Sequence, residues 1–431
     1  MNVGVISLGC AKNQVDTERM LGLLRRFGYD FTPDPEKAEV LIVNTCGFID
    51  PAKEESINTI LEMAQYKERG RCRVLVATGC LTERYRQELT EELPEIDILL
   101  GVREYVKLPG LLAEKLGIPL EQQSCGLGDR LLTTPPYRAF LRTGDGCNNR
   151  CTYCAIPLIR GNLRSEPMED LLDEARRLAD GGVTELTVIA QDTSGYGLDR
   201  YGKPMLIPLL KELNGIDGLH WVRVLYTYPD TVNEALLDTL AEGEKLVPYL
   251  DIPLQHIDDH ILRRMHRRGS GAYIRSLLDY LYKNYPDFTL RTTMMVGFPG
   301  ENDAQFQTLL TFLRDYPFDR VGAFAFSPEE GTRAATMPDQ VSDEVKQARL
   351  EALMAQQRPI SLRRNRRWVG ERTELLIEEL TGTHAIGRTP REAPDVDGRV
   401  RIPRKSYHAI GDYERIRLTV AGEYDMKGES L

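Results

Sequence analysis

GDGCNNRCTYCAIP, Gly144–Pro157, sets Cys147, Cys151 and Cys154 in the spacing C-x-x-x-C-x-x-C. Three thiols spaced in this way can hold three corners of a four-iron cluster and leave the fourth iron without a protein ligand. Soft thiolate sulfur matches iron–sulfur metal. An open iron can chelate the amino and carboxylate groups of S-adenosylmethionine and pass one electron to its sulfonium, while the protein supplies orientation and excludes water. Zinc and buried free thiols remain as alternatives. A zinc site normally takes four protein ligands, often including histidine, and all six histidines lie at or after His220. Disulfides need an oxidising compartment. The start MNVGVISLGC lacks the basic and long apolar regions of a secretory leader. No apolar run of about 18 residues is present, so no membrane span is expected and the expected location is the cytoplasm.

Working outward, Cys10, Cys46 and Cys80 share a context. Each follows a short apolar, β-branched run (VGVISLG, EVLIVNT, RVLVATG), the pattern of a buried parallel strand. Each precedes a helical stretch, Asp16–Phe27, Pro51–Arg69 or Thr82–Leu93. A parallel α/β sheet gathers its ligand site at the carboxyl ends of its strands, so these three thiols are expected to converge in a second three-thiolate pocket. The plainer alternative is that buried cysteine is simply a small apolar residue. Cys72, in the polar turn ERGRCR, and Cys125, in the Gly-rich SCGLGD, are expected to be free thiols.

The chain of 431 residues is expected to hold more than one domain. Its net charge of −10 weighs against nucleic acid as the main partner, unless a local basic patch overrides the average. Residues 1–116 read as the three-cysteine domain, 117–136 as a Gly/Gln/Pro-rich linker, 137–364 as a β/α alternation and 365–431 as a small all-β module. In the central part six strands are expected: Ala139–Thr143, Glu185–Ala190, Trp221–Tyr226, Tyr249–Pro253, Thr289–Val296 and Val321–Phe326. Six parallel strands with helical crossovers are too few to close an eight-stranded barrel, so an open, partial barrel fits. The fold class is therefore α/β: a parallel-sheet domain, a partial (β/α) barrel and a small antiparallel β-barrel.

Polar, Gly and Pro residues collect where these strands end. Gln191 and Gln255 could meet a ligand or satisfy buried backbone groups. Gly297, with Phe298, could let backbone approach S-adenosylmethionine, or could form a tight turn before an acidic helix start. Tyr153 could pack on the barrel or on an adenine ring. The run RRMHRRG, Arg263–Gly269, reads first as a solvated helix face and otherwise as a basic rim.

Taken together these residues resemble the methylthiotransferases, a family of radical SAM enzymes with an N-terminal three-cysteine domain, a radical SAM domain and a C-terminal TRAM module. The resemblance spans the chain. SLGCAKNQVDTE, AQDTSGYG, FSPEEGT and EYDMKG look like the branch that modifies a ribosomal protein, the RimO type. The tRNA-modifying branch, the MiaB type, usually has Gln-Met-Asn after its first cysteine, where this chain has Ala11-Lys12-Asn13. Thr17 and Ser194 depart mildly from the first branch. The resemblance implies two 4Fe-4S clusters, held by Cys10, Cys46 and Cys80 and by Cys147, Cys151 and Cys154, together with S-adenosylmethionine. It also implies radical abstraction of a β-hydrogen from an aspartate of small-subunit ribosomal protein S-twelve, free or on the ribosomal subunit, and insertion of a methylthio group. An unactivated C–H bond has no useful acidity, which is why a radical is needed. An electron donor such as flavodoxin or ferredoxin is expected as a partner, with RNA binding open through the TRAM module. Competing readings are a tRNA methylthiotransferase and a non-catalytic nucleic-acid-binding protein stapled by clusters or zinc. Within the first reading, the β module is expected to select the substrate and to be dispensable for the chemistry itself.

Overall fold

The computed structural model describes residues 1–120 and 130–431, so Cys125 and the middle of the expected linker lie outside the described residues. The chain divides into two compact units. The first comprises Met1–Pro135, Gly144–Arg164 and Glu329–Ala335, and the second Pro136–Thr143, Ser165–Pro328 and Thr336–Leu431.

The first unit is built on β1 (Asn2–Ser7), β2 (Asp30–Phe31), β3 (Val40–Thr45), β4 (Val74–Gly79) and β5 (Ile98–Leu99), in the order β2-β1-β3-β4-β5. All four pairings are parallel. Every residue of β3 and β4 is buried, because helices cover both faces. Side chains alternate between two cores. Val40, Ile42, Val74 and Val76 pack with Leu24 and Leu112, whereas Leu41, Val43, Leu75 and Ala77 pack with Ile60 and Met63. Burial of each large aliphatic side chain stabilises the sheet by about 1.5–3 kcal/mol.

Cys72 belongs to the second of these cores and is 6 % exposed. It is a free thiol, as expected, but the polar turn around it does not expose it: its side chain turns under β3 and β4, and burial raises its pKa. Cys72→Ala should therefore lower stability by about 1 kcal/mol and leave iron content unchanged. A urea titration beside an iron assay checks both, and loss of iron would make Cys72 a ligand.

The second unit begins with six parallel strands: β6 (Arg138–Arg142), β7 (Glu185–Ile189), β8 (Trp221–Val224), β9 (Tyr249–Asp251), β10 (Thr289–Val296) and β11 (Arg320–Ala325). They form two three-stranded sheets, β8-β7-β6 and β9-β10-β11. The sheets meet along β8 and β9, where Val247 N donates to Val222 O at 2.9 Å and Thr227 N to Asp251 O at 3.1 Å. Among the described residues no ladder joins β6 to β11, so the barrel is open.

The last five strands are β12 (Arg372–Leu380), β13 (His384–Arg388), β14 (Val400–Pro403), β15 (Tyr413–Ala421) and β16 (Met426–Ser430). They close into a barrel in the order β12-β13-β14-β16-β15 around Leu375, Ile377, Val400, Ile402, Ile416 and Leu418. The expected small antiparallel barrel is present, with four antiparallel seams and one, β14 with β16, parallel. Five strands cannot alternate direction around a closed ring, so one seam must be parallel.

This module is tied to the partial barrel by buried charge. Arg388 donates to Glu185 at 3.0 Å and to Glu378 at 2.8 Å, and Glu185 also faces Arg223 at 3.3 Å. Arg320 meets Glu392 at 3.2 Å, and Tyr249 Oη donates to Asp397 at 2.6 Å. These contacts weigh against a dispensable module, because its removal would strand buried charges in the barrel.

Candidate functional site

In the first unit each of three cysteines sits where a strand ends. Cys10 is the N-cap of helix Ala11–Arg26, Cys46 follows β3 directly, and Cys80 opens helix Cys80–Arg84 after β4. The three loops approach closely. A Cβ at Gly9 would lie 3.1 Å from Cys46 Sγ, and one at Gly47 would lie 2.6 Å from Leu81 Cα and 2.9 Å from the carbonyl carbon of Cys80. Only residues without a side chain fit there. Asn13 joins the loops: its Nδ2 donates to Leu8 O at 3.0 Å and Thr45 O at 2.9 Å, and its Oδ1 lies 3.4 Å from Cys80 Sγ.

The thiols also feel one another and their cations. Burial pushes Cys80 up to about 12, against the pull of Arg160, while Cys10 and Cys46 repel its ionised form. Burial likewise raises Cys46. Cys10 is exposed as a residue, and the partial desolvation of its thiol is outweighed by Lys12, the Asn13 amide and Arg160, which leave its pKa below the ordinary value. Thiolate is the ligating form, and nearby cations favour it. Three converging soft thiols fit an iron–sulfur group by the chemistry of the donor set. Among the described residues no group of three His, Cys, Asp or Glu is gathered tightly enough to grip a single ion.

The loop bearing Cys147, Cys151 and Cys154 lies in the same unit. All three thiols are half-buried, as is Tyr153. The loop closes on itself: Cys147 N donates to Gly161 O at 3.1 Å, Leu163 N to Asn148 Oδ1 at 3.1 Å and Arg150 to Asn162 Oδ1 at 3.2 Å. Its short helix Ile156–Ile159 packs apolar against the other cysteine site, with Ala155 and Ile159 clustered with Cys80 and Val102. Glu329, from FSPEEGT, takes Lys53 at 2.8 Å and Arg84 at 3.4 Å, and Arg84 also donates to Gly47 O at 3.0 Å beside Cys46. Asn13, Arg84, Arg160 and Glu329 were not singled out as site residues from sequence. Asn13 and Glu329 lay inside quoted motifs, and only folding shows what they touch.

In the second unit Gln191 follows β7 and is half-buried. Gln255 is 7 % exposed and adopts φ +69°. Its backbone serves β10, accepting from Met295 N at 2.8 Å and donating to Thr293 O at 2.8 Å. Its side-chain oxygen is buried and meets no donor among the described residues. Left-handed backbone at a non-glycine residue costs about 1–3 kcal/mol and tends to cluster at ligand sites. Gly297 also has φ +69°, and a Cβ there would meet Lys346 Cγ at 2.3 Å. The Phe298 ring is fully buried edge-on against Phe326, centroids 5.4 Å apart, so only its backbone can face a ligand.

Glu301 does not belong to a helix start, since Asn302 caps helix Asp303–Asp315. Instead it is buried with Arg349 at 3.1 Å, the Gly297 amide at 2.8 Å and His256 at 3.8 Å. Burial, partly offset by Arg349, raises Glu301 to about 7, and burial lowers His256 to about 4. The signs oppose. The Glu301 contribution to stability falls as pH rises from the ordinary carboxylate range towards 7, while that of His256 rises between about 4 and 6.5. Glu301→Gln should therefore steepen the rise of the urea midpoint with pH across that interval. An unaltered slope would mean that Glu301 stays ionised.

The RRMHRRG run is a solvated helix face only in part, since Arg263 is exposed on its helix but the chain beyond Arg264 turns into loops. Helix Asp259–Arg264 stops within it, Arg264 donates to Pro299 O at 3.0 Å, Arg268 pairs with Asp230 at 3.0 Å, and buried Arg267 lies 4.3 Å from the Tyr228 ring centroid. A carbonyl, a carboxylate and a ring take up Arg264, Arg268 and Arg267, while Arg263 stays exposed on the helix.

Three family models match the chain: uncharacterized protein family UPF0004 over residues 2–101, the radical SAM superfamily over 141–313 and the TRAM domain over 369–431. The chain is 46 % identical to the ribosomal protein uS12 methylthiotransferase RimO of Geobacter sulfurreducens, covering 100 % of this chain and 98 % of the relative. It is 45 % identical to the RimO of Heliobacterium modesticaldum, covering 100 % and 95 %. Among solved structures, the radical S-adenosylmethionine methyltransferase TsrM of Kitasatospora setae aligns with TM-score 0.55 at 12 % identity, over 75 % of this chain and 74 % of that one. The cobalamin-dependent radical enzyme OxsB aligns with TM-score 0.51 at 11 % identity, over 82 % and 56 %. At such identities these two speak for the fold alone.

Proposed function

The chain belongs to the RimO family of radical SAM methylthiotransferases, and from that premise we propose that it inserts a methylthio group at the β-carbon of an aspartate in ribosomal protein uS12. As a radical SAM methylthiotransferase it uses S-adenosylmethionine and two 4Fe-4S clusters. We assign one cluster to Cys147, Cys151 and Cys154 and the other to Cys10, Cys46 and Cys80. When bound, these groups supply one-electron cleavage of S-adenosylmethionine and the sulfur that is transferred. The single observation that carries the assignment is the convergence of three strand-end thiols in the unit that also holds the C-x-x-x-C-x-x-C loop.

The residues of the chain do the rest. Asn13 holds the first two cysteine loops at a fixed separation, and Arg84 with Lys53 and Glu329 fixes the Cys46 side. Gln255 offers S-adenosylmethionine a desolvated acceptor, and Gly297 and Phe298 offer backbone. Gln191, which lies with them in the second unit, is assigned to the same ligand. Residues 1–116, 117–136, 137–364 and 365–431 are taken as the auxiliary-cluster domain, linker, radical SAM domain and TRAM domain. A flavodoxin or ferredoxin is the proposed electron donor, the cytoplasm the proposed location, and RNA contact by the TRAM domain an accessory to docking on the ribosomal subunit. No helix among the described residues is long and apolar enough to cross a membrane.

The test is anaerobic reconstitution with iron and sulfide, followed by mass spectrometry of uS12 and of tRNA incubated with the enzyme, S-adenosylmethionine and a reductant. The expected result is uS12 heavier by one methylthio group less a hydrogen. The same gain on tRNA alone would overturn the substrate, and absence of iron would overturn the cluster assignment.

A further inference from the structure

Arg160 lies six residues beyond Cys154, yet its guanidinium enters the other cysteine pocket. It is 2 % exposed. Its Nη2 reaches Asn13 Oδ1 at 2.7 Å, Asp16 Oδ2 at 2.9 Å and Cys80 Sγ at 3.6 Å, while Nη1 holds Asp145 at 2.9 Å. Asp145, two residues before Cys147, is shared with Arg103 at 3.4 Å. One buried cation thus ties the start and end of the Cys147 loop to Asn13, the residue that holds the Cys10 and Cys46 loops. Nη2 has only two hydrogens for three acceptors, so an anionic sulfur at Cys80 competes directly with the carboxylate and the amide. Desolvated anionic sulfur needs a compensating charge. Lys12 and Arg160 are the cations that bear on Cys10, and Arg160 is the one in contact with Cys80.

We propose that Arg160 is a positioning residue for the Cys10, Cys46 and Cys80 site, placed there by the other cysteine loop, and that its charge sets the reduction potential of the cluster held by those thiols. This rests on the cluster assignment above. One-electron reduction adds a negative charge without making or breaking a bond, and a buried cation stabilises the reduced form. Replacing the cation by a neutral side chain must lower the potential. A guanidinium that merely braced Asp16 and Asp145 would leave it unmoved. Lysine keeps the charge but cannot reach carboxylates, amide and sulfur together.

The experiment uses full-length protein with Cys147, Cys151 and Cys154 all replaced by alanine, so that only the proposed second cluster remains. Redox titration followed by electron paramagnetic resonance reads its potential. Arg160→Gln should lower it by at least tenfold in the reduction constant, about 59 mV, and Arg160→Lys by less. In the complementary background, with Cys10, Cys46 and Cys80 replaced, Arg160→Gln should leave the other cluster's potential unmoved. No shift at the first cluster, or equal shifts at both, overturns the proposal. If Arg160→Gln loads too little iron to titrate, Arg160→Met, which also removes the charge, decides by the same criterion: a downward shift at the first cluster alone supports the role and an unmoved potential overturns it. If the background with Arg160 intact binds no iron, the cluster assignment fails rather than the role of Arg160.

Discussion

Alanine at any one of Cys147, Cys151 and Cys154 is expected to reduce cleavage of S-adenosylmethionine to background, whereas alanine at Cys10, Cys46 or Cys80 leaves cleavage and stops sulfur insertion. The two sets differ in how they are held. The first three thiols lie on one short loop pinned by Gly161 O and Asn148, a local arrangement that would leave one corner of a bound cluster open. The others come from three separate strand ends. On the proposed assignment, replacing one thiolate of either set takes a ligand from that set's cluster, and with it the function that cluster supplies. Formation of 5′-deoxyadenosine and modified uS12 are measured side by side. Because Cys80 packs against Ala155 and Ile159 of the other loop, Cys80→Ala is the most demanding case, and Cys46→Ala is the cleaner comparison. Equal loss of cleavage in both sets, in protein that remains folded, would end the division of roles.

Truncation before Trp368 is expected to give protein that does not fold, and Arg388→Met to destabilise the chain by about 3–5 kcal/mol, as removal of one partner of a buried ion pair does. Glu185 is 0 % exposed. Burial alone would raise its pKa, but Arg388, with Arg223 and Arg138, brings it down to about 2. A depressed carboxylate contributes stability that is present above its unfolded pKa of about 4.5 and lost as pH falls towards 2. Arg388→Met should therefore flatten the acid limb of the stability profile as well as lower its plateau. Adding Glu185→Leu should recover part of the loss, because no unpaired charge then stays buried. Urea midpoints at neutral and acid pH test all three statements. A folded, stable truncation would restore the view of the module as a separable reader of substrate. Glu378 belongs to the same network through Arg388, whereas Glu379 forms an exposed pair with Arg399 at 2.8 Å. Of the two neighbouring carboxylates, only Glu379 can be reversed as a test of substrate charge without disturbing the fold.

The elements with a local cause were legible in the sequence. Apolar β-branched runs made β1, β3 and β4 readable as buried parallel strands, and the cysteine after each one marked a strand end where a parallel sheet gathers its site. The alternation of strands and helices gave six barrel strands with ends within about two residues of those observed. Spacing alone marked the Cys147 loop. What tertiary structure decided was every contact between distant residues. Cys72 follows a polar turn but is buried, because the direction of the chain after a turn depends on the sheet it joins. In the basic run at Arg263–Gly269, Arg264 and Arg268 are tied to loops whose approach no period reveals. The parallel seam between β14 and β16 follows from closing an odd number of strands, a property of the ring. Arg388 meets Glu185 across 203 positions, and Arg160 meets Cys80 across 80. Periodicity and spacing report which face of an element is apolar and which side chains share a loop. Pairing of charges between elements depends on which faces the folded chain brings together, and that is settled only when the layers pack and water leaves.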